Sequence, residues 1–195
     1  MGVPSLDAIQ EKLKRAQTGF FRAADAISAE QWNSKPSAEE WSAAEMVAHL
    51  VTVERAILGG ADRITQKTPK YIPFTKRFHL PLWLVESRLI RRRSPIPLDH
   101  GLLADKEEML AELRAARERT LAFLEETRKR DLSAYRWTHA FLGMLNVYEW
   151  IEMIAAHQVR HTKQMRELGT KLPKAVGISQ NQNVFAHQPV RRDRY

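Results

Sequence analysis

The stretch YEWIEMIAAHQVRHTKQMREL, Tyr148 to Leu168, decides the fold. Trp150, Ile154, His157, His161, Met165 and Leu168 recur every three or four residues, which is the period of one helix face. Two of these stripe positions are histidines where a bundle helix carries apolar residues. Residues four apart on a helix lie one above the other, so His157 and His161 present both imidazoles to one point. That is the geometry of a two-histidine metal clamp, and it calls for a third partner from another helix.

Working outward, three more helical segments have an apolar face. The first places Leu6, Ile9, Leu13, Ala16, Phe20 and Ile27 on one side, with Ser5 or Asp7 as its N-cap. A turn-rich passage follows, in which Pro36 discourages helix and Trp32 and Trp41 are expected to close one end of the core. Ser42 caps a second helix whose inward stripe reads Met46, His49, Val53 and Ile57, with Leu50 beside it. A third helix is expected from about Leu103 to Arg130, with Met109, Leu113, Ala116, Thr120 and Phe123 or Leu124 inward; the fourth runs from about Leu145 to Leu168. No strand-like alternation or internal repeat competes with this reading. Between Gln66 and Gly101, Pro69, Pro73, Pro81, Pro95 and Pro97 rule out one continuous helix, although LPLWLVESRLIRRR suits a short one. A connection this long takes the chain back to the end from which the third helix must start. The expected fold is therefore all-α, an up-down-down-up four-helix bundle over residues 1–170, followed by a basic C-terminal tail over 171–195.

Composition narrows the chemistry. The 195-residue chain contains no cysteine, so disulfides, thiolate metal ligands and a cysteine nucleophile are excluded. The beginning of the sequence passes directly into an amphipathic pattern, and no apolar run approaches the roughly 20 residues needed to span a bilayer, so no transmembrane segment and a cytoplasmic location are expected. The net charge of +8 is unevenly spread: Lys67 to Arg93 holds eight Lys/Arg against Glu86 alone, and Lys171 to Tyr195 holds five against Asp193 alone. The helical body is thus mildly acidic. Basic charge confined to a connection and a tail reads as solvated loop or partner surface, ahead of a nucleic-acid or membrane-surface binder acting through LIRRR and RRDRY.

The third partner for the two histidines is His49, which also falls on an inward stripe of a different helix. Burying three imidazoles together is costly unless something pairs with them, and a divalent cation does so. Three unrelated core histidines, each bonded to a carbonyl or a carboxylate, are the alternative. Other metal patterns fit less well. A zinc-protease His-Glu-x-x-His motif would need Glu where Gln158 stands, and no histidine has the Glu three residues earlier that di-iron bundles use.

The sequence WSAAEMVAHL, Trp41 to Leu50, followed after a long interval by HAFLGMLNVYEWIEMIAAHQVRHTKQM, His139 to Met165, resembles the DinB-like superfamily of four-helix-bundle metalloproteins. The resemblance spans about Leu6 to Leu168. It implies an up-down-down-up bundle, a divalent metal on His49, His157 and His161, and frequent homodimers. Characterised relatives include thiol-dependent enzymes such as mycothiol-dependent maleylpyruvate isomerase and bacillithiol transferases, whereas many others have no assigned activity, so the family licenses fold and metal more strongly than reaction.

Three neutral imidazoles leave one or more coordination positions open, the mark of a catalytic site, and an all-nitrogen site should acidify a bound water or thiol. The reading is a metal-dependent thiol S-transferase or isomerase, or a hydrolase, acting on a small-molecule substrate. Zn, Ni, Fe and Mn are not distinguished, and a low-molecular-weight thiol is a candidate cosubstrate. A non-catalytic, stress-associated metal-binding bundle is the alternative. Glu45, Glu149, Gln158 and Gln164 are candidates for orienting the imidazoles, each equally readable as a solvated face residue. His139 either lines the pocket mouth or stabilises a turn. His79, His100 and His187 read as surface residues.

Overall fold

The computed structural model describes residues 5–87, 101 and 103–173. Helix α1 spans Leu6–Asp25, α2 Ala43–Thr65, the single-turn α3 Trp83–Glu86, α4 Lys106–Glu126 and α5 Val147–Lys171; strands β1 (Arg136–His139) and β2 (Gly143–Asn146) lie just before α5. The apolar stripes are inside as expected: Ile9, Leu13, Ala16 and Phe20 of α1, Met46, Val53 and Ile57 of α2, Met109, Leu113 and Ala116 of α4, and Ile154, Met165 and Leu168 of α5 are all buried.

Side-chain contacts at the helix ends fix the directions. Arg128, just past α4, bonds Asp7 at the start of α1 at 2.9 Å, while Lys106 at the start of α4 donates to Ile27 O at 2.7 Å, so α1 and α4 are antiparallel. Lys12 pairs with Glu152 near the beginning of α5, and Ile27 faces Gly169 near its end, so α1 and α5 run parallel. The Trp32 indole donates to Met109 Sδ at 3.3 Å beside the start of α2, and Arg130 donates to Thr65 O at 2.7 Å at its end, so α2 and α4 are parallel. The four long helices are therefore up-down-down-up.

Local chemistry sets where the helices begin. Ser42 and Asn146 each accept from the backbone N–H three residues on, while Glu45 and Glu149 reach back to the cap residue's own N–H, so α2 and α5 both open with a capping box. Ser5 occupies the N-cap of α1 without a side-chain bond, and Asp7 sits in the first turn. Asp105 caps α4 by accepting from Glu108 N at 2.9 Å.

Three expectations need correction. The helices assigned to 103–130 and 145–168 begin later, at Lys106 and Val147, and the former ends at Glu126. Leu145 belongs to β2. The segment before α5 is an antiparallel hairpin, with Arg136 opposite Asn146 and His139 opposite Gly143. Backbone from the connection adds to this hairpin: Leu80 N donates to Leu142 O at 2.7 Å, and His79 bridges Gly143. His79 is half-buried rather than a surface residue, its Nε2 lying 3.1 Å from Glu149 Oε1. From there the chain follows α5, where Arg160 holds Ser87 O and Lys163 donates to Glu86 O at 3.1 Å. His100, His187, the LIRRR segment and the tail from 174 onward lie outside the described residues. Among the described residues, no helix is long and apolar enough to cross a membrane.

Candidate metal centre

The buried core is divided. One apolar cluster contains Leu13, Val53, Ile57, Leu145, Ile151 and Ile154; the other contains Phe20, Val47, Leu50, Leu113, Met165 and Leu168. On α4 and α5 polar side chains stand between them along the chain, Arg117 and Thr120 on the former and His157, Gln158 and His161 on the latter, while on α2 His49 and Glu54 flank the boundary at Val51 and Val53. Among these, His49, Glu54, Arg117, Thr120, Gln158 and His161 are buried.

The three histidines meet at one point. His157 Nε2 lies 3.2 Å from His49 Nε2 and 3.1 Å from His161 Nε2, and the ligand atoms of all three fall within 4.8 Å of one another. Ring planes are steeply inclined, at 73° for His49 against His157 and 85° for His157 against His161, so the rings are not stacked. The capped starts of α2 and α5 and the four-residue spacing within α5 set this convergence.

Electrostatics keeps two of the imidazoles in the ligand form. Burial lowers the pKa of His49 to about 4. Burial, followed by the neighbouring His49, Arg160 and His139, lowers that of His157 to about 3. At neutral pH both rings are uncharged, and each neutral ring carries a single N–H. His157 Nε2, facing two other Nε2 atoms, has either one proton or one lone pair to offer them, so the three nitrogens cannot all be well hydrogen-bonded to one another. A divalent cation would satisfy all three at once, with each ring proton on Nδ1. His49 Nδ1 is buried without a hydrogen-bond partner, which leaves Nε2 as the atom committed to the cluster. The donor set, three nitrogens with no thiolate or carboxylate, suits a divalent transition-metal ion.

Trp41 forms a wall of the cluster. Its indole meets His49 edge-on at 4.9 Å and stacks on His161 at 5.9 Å with an interplanar angle of 6°. The sequence marks Trp41 as an end-plug of the core, but contact with the imidazoles follows from the fold rather than from any local pattern.

The supporting candidates separate. Glu45 engages Ser42 N at 2.9 Å and Lys35 at 3.0 Å, at the start of α2. Glu149 holds Asn146 N at 2.7 Å and His79, with Arg136 at 3.7 Å. Both carboxylates thus serve helix starts. The S-x-x-E and N-x-x-E spacings that signal this are visible in the sequence. Gln158 Oε1 accepts from Arg117 Nη2 at 2.9 Å, whereas its Nε2 and Gln164 Oε1 are buried without partners. His139 Nδ1 accepts from both Phe141 N and Leu142 N at 3.0 Å, so the turn-stabilising role is realised and the ring proton is placed on Nε2. Its ring also packs on Trp150 at 5.0 Å, and burial lowers its pKa.

The sequence profile of the DinB superfamily matches residues 12–165, a region that takes in all of α2 and α4, most of α1 and α5, and the three histidines. The chain belongs to the DinB superfamily. It is also 30% identical over 151 residues to the uncharacterized protein YuaE of Bacillus subtilis (strain 168), an alignment covering 76% of this chain and 90% of that protein. No solved structure gives a significant match. Superfamily membership and the three-histidine cluster together fit a metal-binding protein.

Proposed function

We infer that this DinB-superfamily protein is a divalent-metal-dependent enzyme whose ion is held by His49, His157 and His161, and that its reaction is thiol transfer or thiol-dependent isomerisation of a small-molecule substrate. The observation that carries the reading is the convergence of three imidazole nitrogens, two of them on rings that burial holds neutral, with His157 half-buried rather than sealed. A three-ligand nitrogen site of this kind leaves a coordination position for an exogenous group. When bound, the ion would supply acidification of a coordinated thiol or water at neutral pH. The chain's own residues would hold the His49 and His157 rings neutral through burial, restrict the orientation of His49 and His161 through Trp41, and keep the connection seated on α5 through Arg160 and Lys163.

Thiol chemistry is preferred to hydrolysis because characterised members of the superfamily that this sequence resembles use low-molecular-weight thiols. The same reading has a bundle over residues 1–170 with a separate basic tail, working in the cytoplasm as a homodimer. Cobalt-substituted protein tests the reaction class. A candidate thiol is expected to produce a sulfur-to-metal charge-transfer band that saturates with thiol and is missing from His161→Ala. If no thiol perturbs the spectrum while an ester or amide panel shows metal-dependent turnover, the hydrolase reading replaces it; silence in both assays favours a non-catalytic metal-binding bundle.

A further inference from the structure

Arg117 is 1% exposed on α4, a helix that contributes no histidine to the cluster. Its Nε and Nη2 donate to Glu54 Oε1 and Oε2 of α2 at 2.8 and 3.0 Å, Nη2 also donates to Gln158 Oε1 of α5 at 2.9 Å, and Nη1 donates to Leu13 O of α1. Thr120, one turn along α4, donates to Glu54 Oε1 at 2.9 Å. One guanidinium therefore ties all four long helices together. Glu54 lies five residues beyond His49 on α2, and Gln158 lies between His157 and His161 on α5, so each arm of this network is anchored on a helix that carries part of the histidine cluster.

We propose that Arg117 is a positioning residue for the three-histidine group, locking α2 and α5 at the axial register that brings His49 against His157 and His161. The proposal rests on the metal-site reading above. The reason a lock is needed is geometric. The buried apolar side chains form two separate clusters, and the polar residues of α2, α4 and α5 stand at or near the boundary between them along each helix, so apolar packing, which lacks direction, leaves the register across this boundary loosely defined. A slide of one residue along a helix is about 1.5 Å, enough to destroy nitrogen positions a few tenths of an ångström apart in tolerance. Hydrogen bonds to a planar guanidinium are directional and fix that register. A buried ion pair is in general a weak source of stability, since apolar residues of similar volume replace it at little or no cost, whereas fixing register is its best-attested use.

The test separates register from stability. The apolar triple variant Glu54→Leu/Arg117→Met/Gln158→Leu leaves no buried charge unpaired, and its metal-free form is expected to keep the parent's helical content and melting temperature. Its cobalt(II) affinity should fall tenfold or more, with a weakened and broadened ligand-field spectrum. Parent-like cobalt affinity and spectrum in the folded triple variant would overturn the proposal. Should that variant fail to fold, Gln158→Leu alone, which keeps the Glu54–Arg117 pair, is expected to lose several-fold in affinity, and Gln158→Glu, which keeps an acceptor for Arg117, to retain it. Equal affinity in those two variants would overturn the proposal as well. A parallel His157→Ala titration distinguishes the failures: undiminished cobalt binding there removes the three-histidine reading itself, whereas lost binding there with parent-like network variants removes only the role of Arg117.

Discussion

Burial holds His49 at a pKa of about 4 and His157 at about 3, against an ordinary value near 6.5, and this has a consequence for stability. Between those values the unfolded chain binds protons that the folded chain does not, so stability rises with pH across the interval. The metal-free protein is therefore expected to have this contribution intact above about pH 6.5 and to lose it as the pH falls through 6.5 towards 4, each ring adding a slope that approaches ~1.4 kcal/mol per pH unit. Melting temperatures of the metal-free protein at pH 7 and pH 5 check this: a fall at the lower pH is expected, and it should be smaller in His157→Phe, which removes one of the two titrating rings. Trp41 adds a geometric constraint at the same scale, because an indole stacked on His161 and edge-on to His49 limits how either ring can turn. The histidines were legible from helix spacing alone. Their aromatic wall was not, because Trp41 lies outside any helix stripe and meets them only through the fold.

The hairpin and the connection act as one element, and Gly143 is the point where they touch. Its φ of +98° is unfavourable for L side chains, and a Cβ there would come within 2.8 Å of Phe78 O. Gly143→Ala is expected to destabilise the protein by roughly 1–3 kcal/mol, the usual range for residues held in such backbone regions. Amide exchange at Leu80 and Met144, whose N–H groups close this seam, should accelerate, while the centre of α4 stays protected. Unchanged exchange at Leu80 would show that the connection is seated without the hairpin. This part of the fold was hidden from the sequence for a physical reason. Strands of four residues are too short for alternation to show, and the apolar Leu145 reads as the first residue of the fourth helix even though its backbone is extended. The pairing of His79 with Glu149 joins residues 70 apart, which periodicity does not register. By contrast, Arg117 and Glu54 interrupt otherwise apolar inward faces of α4 and α2, a signal as readable as the histidines.

Across the whole molecule, the boundary between two buried apolar clusters along α2, α4 and α5 is marked by polar residues that include both the histidines and the Arg117 network. The superfamily match ends at residue 165 and α5 at Lys171, and the four apolar stripes read in the sequence all lie before Lys174. Deleting it is expected to leave the bundle helical and its metal content unchanged, as read by circular dichroism and elemental analysis. Loss of metal on deletion would make the tail part of the site. The up-down-down-up order followed from the number of helices and the length of the second connection, whereas the polar belt depends on which stripes face one another in three dimensions. The central claim, that the three histidines hold a divalent ion, is tested most directly by metal stoichiometry in protein produced without a histidine tag or chelator. About one divalent ion per chain is expected in the parent and in a His187→Ala control, with affinity in His157→Ala reduced tenfold or more, since a lost ligand should cost at least as much as a residue that merely orients one. Undiminished metal content in His157→Ala would contradict the account.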